Sequence, residues 1–289
     1  MTSNYKNWAR RALLLSALFV TPVEATTVVE GKFVCPVGGE KFKAMAIASY
    51  SSWGQRPDGR AYGTLPIYPI IECPKNGMLL IDDKFTDAET QVLNSLVPSA
   101  EYQTMRASET PHYRAWWLKA KIGRDGFEQA SMLLQATWET DKDFDRKVRY
   151  QAAFVALATA LPRDDKHADD WLFYNLRAAN ALRELGYFDK ALSLLDRVDK
   201  PQFMPIDTKD AEGARYLITA LRVLATEANP VSEPANMIPE QAAALRCEQP
   251  RPPLSPVEVT ACEKPELAPV RKLARKWISE AQREAAKAD

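Results

Sequence analysis

One short phrase occurs twice near the start of this chain, and it constrains what that part can fold into. The first copy is Cys35-Pro36-Val37-Gly38-Gly39 and the second is Cys73-Pro74-Lys75-Asn76-Gly77. Each has the shape of a zinc knuckle, C-P-x-C-G, without its second cysteine. In a four-cysteine site two such turns present their thiolates to one metal, and glycine permits the tight turn. Gly38 and Asn76 stand where the second thiolates belong, so only Cys35 and Cys73 remain. Two thiolates are half a structural zinc site. First-position cysteines of paired knuckles lie close enough to share a metal, so a disulfide is expected in its place.

The first residues carry an export signal. Lys6, Arg10 and Arg11 form a basic segment, Ala12 to Val20 is apolar, and Val23-Glu24-Ala25 supplies small residues at the cleavage positions. The apolar run is too short to span a bilayer, which takes about 20 residues. Cleavage after Ala25 would leave 264 residues with 35 Lys and Arg against 37 Asp and Glu, a net charge of −2. Near-neutrality offers no electrostatic grip on nucleic acid or anionic lipid, and no membrane span is expected after cleavage. The protein is expected to be periplasmic or secreted. Four cysteines in an exported chain read as two disulfides with three possible connectivities. Sequence proximity favours Cys35–Cys73 and Cys247–Cys262, each closure worth roughly 3–4 kcal/mol in the loop-entropy model.

From Thr27 to Ile81 the pattern is strand and turn. Val28, Val29, Phe33 and Val34 lead into the first knuckle, and Phe42, Ala44, Ala46 and Ala48 alternate after it. A loop dense in aromatics, glycines and prolines runs from Tyr50 to Pro69, and Met78 to Ile81 reads as an apolar strand leaving the second knuckle. Beyond Asp83 nearly everything reads as helix. Thr86 with Glu89 is a capping box, and Thr110-Pro111 places proline at a first helical position. Helices are expected over 126–140, 143–161, 165–185, 188–198, 207–228 and 269–287, with a proline-rich segment over 229–269. The organisation follows: signal peptide 1–25, β knuckle module 26–85, helical domain 86–228, and proline-rich segment with a C-terminal helix 229–289.

Helices of this length with short connections suit antiparallel hairpins stacked side by side. The clearest unit is Asn175 to Val198, with Ala179 and Leu182 on one helix, Gly186 at the corner, and Phe188, Ala191 and Leu195 on the next. It resembles a tetratricopeptide (TPR) repeat. The fold class expected is therefore mainly α: a small degenerate zinc-ribbon-like β knuckle module followed by TPR-like antiparallel helical hairpins. The knuckle pair, the Tyr50-to-Tyr68 loop, Tyr113 to Gly123 (YRAWWLKAKIG) and Leu182 to Ala191 (LRELGYFDKA) together resemble a family of uncharacterised bacterial proteins, a domain of unknown function. That resemblance implies paired knuckles joined to TPR-like helices and brings no established activity. Members with complete knuckles look like zinc binders, from which Gly38 and Asn76 depart.

Chemistry is sparsely signalled. A metal at Cys35 and Cys73 would need His112 and His167, which read as solvated or capping residues at helix starts, so no metal or cofactor is expected. Asp82-Asp83, Asp164-Asp165 and Asp169-Asp170 fall at turns and helix starts, where acids favour the helix dipole. No nucleophile–base pair stands out, and the balance leans away from an enzyme. The candidate binding surface is the aromatic loop with Tyr50, Trp53, Gln55, Arg56, Arg60, Tyr62 and Tyr68, held on a rigid scaffold. The leading expectation is a non-catalytic scaffold or adaptor binding another envelope protein through its TPR-like helices or this loop. The second is an envelope enzyme or small-ligand binder with a pocket between knuckle module and helices.

Overall fold

The computed structural model describes residues 26–205 and 208–288; the export signal expected over 1–25 lies outside the described residues. An antiparallel hairpin of β1 (Thr27–Val34) and β2 (Lys41–Ser49) opens the chain, with Phe33 paired to Phe42 next to the first knuckle. A second hairpin, β3 (Ser52–Gln55) and β4 (Ala61–Gly63), occupies the stretch read from sequence as an aromatic loop. Met78 to Ile81 forms no strand, only a bridge between Glu72 and Leu79, because Cys73 N–H bonds to the Met78 carbonyl and closes the knuckle first.

Both knuckles have the same internal geometry. The N–H of Gly39 donates to the Cys35 carbonyl and that of Gly77 to the Cys73 carbonyl, with both glycines at positive φ, 68° and 75°. Cys35 and Cys73 are disulfide-bonded and essentially inaccessible. Asn76 does further work where a cysteine was missing. Its Nδ2 donates to the Val37 carbonyl in the opposite knuckle at 2.8 Å, and its Oδ1 accepts from Met78 N–H at 2.9 Å. A side-chain amide and a disulfide thus join the two turns.

Helices follow: α1 (Asp87–Leu96), α2 (Ala100–Ser108), α3 (Pro111–Lys121), α4 (Gly126–Trp138), α5 (Phe144–Ala160), α6 (Ala168–Glu184), α7 (Phe188–Val198), α8 (Thr208–Thr226), α9 (Glu240–Glu248), α10 (Pro256–Cys262) and α11 (Ala268–Ala288). The Thr86–Glu89 capping box and the Pro111 start both form. Sequence reading missed α2, and it missed α9 and α10 inside the proline-rich segment. From α3 to α8 each helix packs on the next, and α6 also touches α4 and α8, which makes these three the inner layer of a TPR-like stack. Ala179 and Ala191 are both buried where α6 meets α7, and small side chains there let the backbones approach.

Among the described residues, three cores hold the chain. One lies among α4 to α8. Another runs from Cys35, Cys73, Met78 and Leu79 into Leu93, Val97, Tyr102, Ala115 and Leu118, so the knuckles share their interior with α1 to α3 instead of ending at residue 85. Tyr102 seals this junction by donating to the Gly77 carbonyl at 2.6 Å, and burial pushes its hydroxyl up to about 12. Adjacent Trp116 and Trp117 point to different cores, Trp116 with Tyr113 toward the helical stack and Trp117 with Tyr102 toward the knuckles. A third core of Ala243, Ala244, Leu267 and Ala274 surrounds the Cys247–Cys262 disulfide.

Candidate functional site

The tip of the β3–β4 hairpin is clamped. Arg56 is buried, and its Nε and Nη2 meet Asp58 in a two-point pair at 3.1 and 2.5 Å. Its Nη1 reaches Asp141, in the turn between α4 and α5, at 2.7 Å. Arg60 and Lys147 also bind Asp141. Burial disfavours the charge of Arg56, but Asp58 and Asp141 outweigh it and lift the guanidinium above its ordinary range. Burial likewise opposes ionisation of Asp141, and hydrogen bonds from Arg56 and Lys147 overcome it and hold its carboxyl below the usual range. Gly59 turns the tip at φ 89°. A side chain there would press on Arg177 of α6, whose Nε lies 3.1 Å from the position a Cβ would take.

This placement divides the candidate binding residues. Arg56 and Arg60 are structural anchors. Burial and the neighbouring Glu233 carboxylate raise the Tyr62 hydroxyl above its ordinary range. Tyr50 and Tyr68 meet edge to face at 6.3 Å, half-exposed with Trp53 on the outer side. Gln55 is exposed and faces inward over the helices. The histidines differ from expectation in one case. His112 is buried, with Nδ1 2.7 Å from Glu139, because its helix start is covered by the end of α4. His167 stands at the N-cap position of α6 without a side-chain capping bond, its N–H and Nδ1 bonded to Asp164 instead.

Beneath the hairpin lies a cleft of about 670 Å³. One wall is Gln55, Arg56 and Pro57. Another is a stripe of α6 made by Asp169, Leu172, Phe173, Leu176 and Arg177, at the spacing of one helical face. A matching stripe of α8, Asp210, Gly213, Ala214 and Leu217, faces it, and Met237 of the segment after α8 closes one side. Mostly apolar walls with a few charged groups at fixed places are the usual composition of a ligand site, and the volume falls in the usual range of about 300–1,000 Å³.

Among the described residues no group of three or more His, Cys, Asp or Glu is placed to hold a metal ion, and no helix is long and apolar enough to cross a membrane. Compared with family models, with curated proteins and with solved structures, the chain matches none.

Proposed function

We propose that this chain is an exported, non-catalytic binding protein whose receptor site is the cleft between the β3–β4 hairpin and helices α6 and α8, and that it takes up a segment of another envelope protein. The observation carrying this reading is the clamp of Arg56 on Asp58 and Asp141, which holds one wall of the cleft in place before anything binds. A preformed site spends little of its binding energy on ordering itself. The inner layer of a helical-repeat stack supports the same reading, since such layers offer extended concave surfaces. The two disulfides fit an oxidising compartment. The resemblance to a paired-knuckle family belongs to this proposal too: where complete knuckles would hold zinc, a disulfide and Asn76 secure the module that carries the hairpin. A second reading, a small-molecule binder using the same cleft, is favoured by the cleft's volume.

The test places a photo-reactive residue at Gln55 in the exported protein, with the same residue at exposed Lys190 on α7 as control. Irradiation is expected to give a discrete polypeptide adduct from position 55 and not from 190. Gly213→Leu should abolish it, because a Cβ at Gly213 meets nothing within 4 Å and a larger side chain would fill the cleft. An adduct of small-molecule mass would select the second reading. Adducts indifferent to Gly213→Leu would refute both.

A further inference from the structure

Arg177 is out of balance with its surroundings. It is 4% exposed, and among the described residues it forms no salt bridge. Its Nη1 donates to a neutral acceptor, the Pro57 carbonyl, at 2.5 Å; Nε is buried with no partner, and Nη2 donates to nothing in the described residues. The acid that acts on its charge, Asp58, is already taken by Arg56 and by the Arg60 N–H. The guanidinium lies over the Phe173 ring, 4.8 Å from its centroid. Burial pulls its pKa down to about 10, Asp58 offsetting this only in part, so it is still a cation at neutral pH. A buried charge without a counter-ion is costly. This one forms part of the wall of the cleft, beside apolar side chains of α6 and α8.

We infer that the cleft recognises a carboxylate carried on an apolar chain, the carboxylate bound by Arg177 and the chain lying along Leu172, Leu176 and Leu217. This rests on the cleft being the receptor site. One uncompensated guanidinium calls for one negative charge. A phosphate would bring nearly two, one more than the Arg177 guanidinium alone offsets. The carboxylate would meet Nη2, since Nη1 is held by the Pro57 carbonyl and Nε is covered against Gly59. The carboxylate could end a polypeptide or belong to a free aliphatic acid; the chemistry is shared.

The experiment is calorimetric titration of the full exported chain with two probe pairs. One pair is decanoate and decan-1-ol; the other is acetyl-Ala-Leu-Leu-Leu as free acid and as amide. At least one acid should bind about tenfold or more tighter than its neutral partner, the worth of a hydrogen bond to a charged group. Preference within the peptide pair identifies a C-terminus as ligand; preference within the decanoate pair alone identifies a free acid. Arg177→Met should erase the preference. Because Arg177 also supports the hairpin, Gly213→Leu is the second variant: it leaves Arg177 in place and should block all four probes. Equal binding of acid and neutral probes would overturn the inference and leave the cleft reading standing. Preference that survives Arg177→Met would also overturn it, as would failure of every probe to bind.

Discussion

Replacing Glu258 with alanine is expected to lower the stability of the protein by about 3–5 kcal/mol, as measured by denaturant titration. Glu258 is fully buried. Its carboxylate accepts from Arg246 Nε at 2.9 Å, Asn229 Nδ2 at 2.9 Å, and the backbone N–H groups of Ala235 and Ser255, both at 3.1 Å. Removing it strands the buried Arg246 guanidinium on α9 and the Asn229 amide, at the start of the segment that closes one side of the cleft. Burial opposes ionisation of Glu258, but Arg246 and those backbone donors outweigh it and hold the carboxyl below its ordinary 4.5. A depressed carboxyl stabilises the fold above the unfolded-state value, and that contribution is lost as pH falls through the lower folded-state value. Glu258→Gln should therefore flatten the acid limb of the stability curve below about pH 4.5. A loss under about 1 kcal/mol in the alanine variant would show that the network is relaxed by water.

Exchanging both Cys35 and Cys73 for serine is expected to cost about 2–5 kcal/mol; the chain-entropy model gives about 4 for a closure spanning 38 positions. The bond sits at the edge of the core shared by knuckles and α1 to α3, so the loss should appear as global destabilisation, not as fraying of the first hairpin alone. Asn76 still bridges the knuckles in that variant, so Asn76→Ala added to it should cost further stability. The check is thermal unfolding of the variants, with a digest of the parent protein made without reductant to isolate the Cys35–Cys73 peptide. Free thiols accompanied by one equivalent of zinc in the parent would contradict the disulfide and make the degenerate knuckles a metal site.

Local signals made much of the helical region legible. Thr86 and Glu89, Thr110-Pro111 and Gly186 each mark a boundary with side-chain or backbone chemistry, and the corresponding helices start or turn there. α2 escaped notice because its one fully buried side chain, Tyr102, leaves little periodicity to see. α9 and α10 were hidden by prolines read as breakers, although Pro239 and Pro256 stand at helix starts, where proline is favoured. Ser255 with Glu258 at the third helical position was a readable capping signal for α10. The cleft was harder. The α6 stripe has helical spacing, but α6 is buried around most of its circumference, so Trp171, Tyr174 and Asn175 mask it. The pairing of Arg56 with Asp141 joins positions 85 apart and leaves no local trace.

The claim on which the rest depends is that the β3–β4 hairpin is a fixed wall and not a free recognition arm. Hydrogen–deuterium exchange of the unliganded protein over Gln55 to Arg60 addresses it directly. The Arg56 N–H donates to the Arg60 carbonyl and the Gly59 N–H to the Arg56 carbonyl, both at 2.9 Å, beneath buried ion pairs. These two amides should exchange slowly, on the timescale of the helix α6 amides, and should speed up in Asp141→Ala. Exchange at the rate of an unstructured loop in the parent protein would contradict the account.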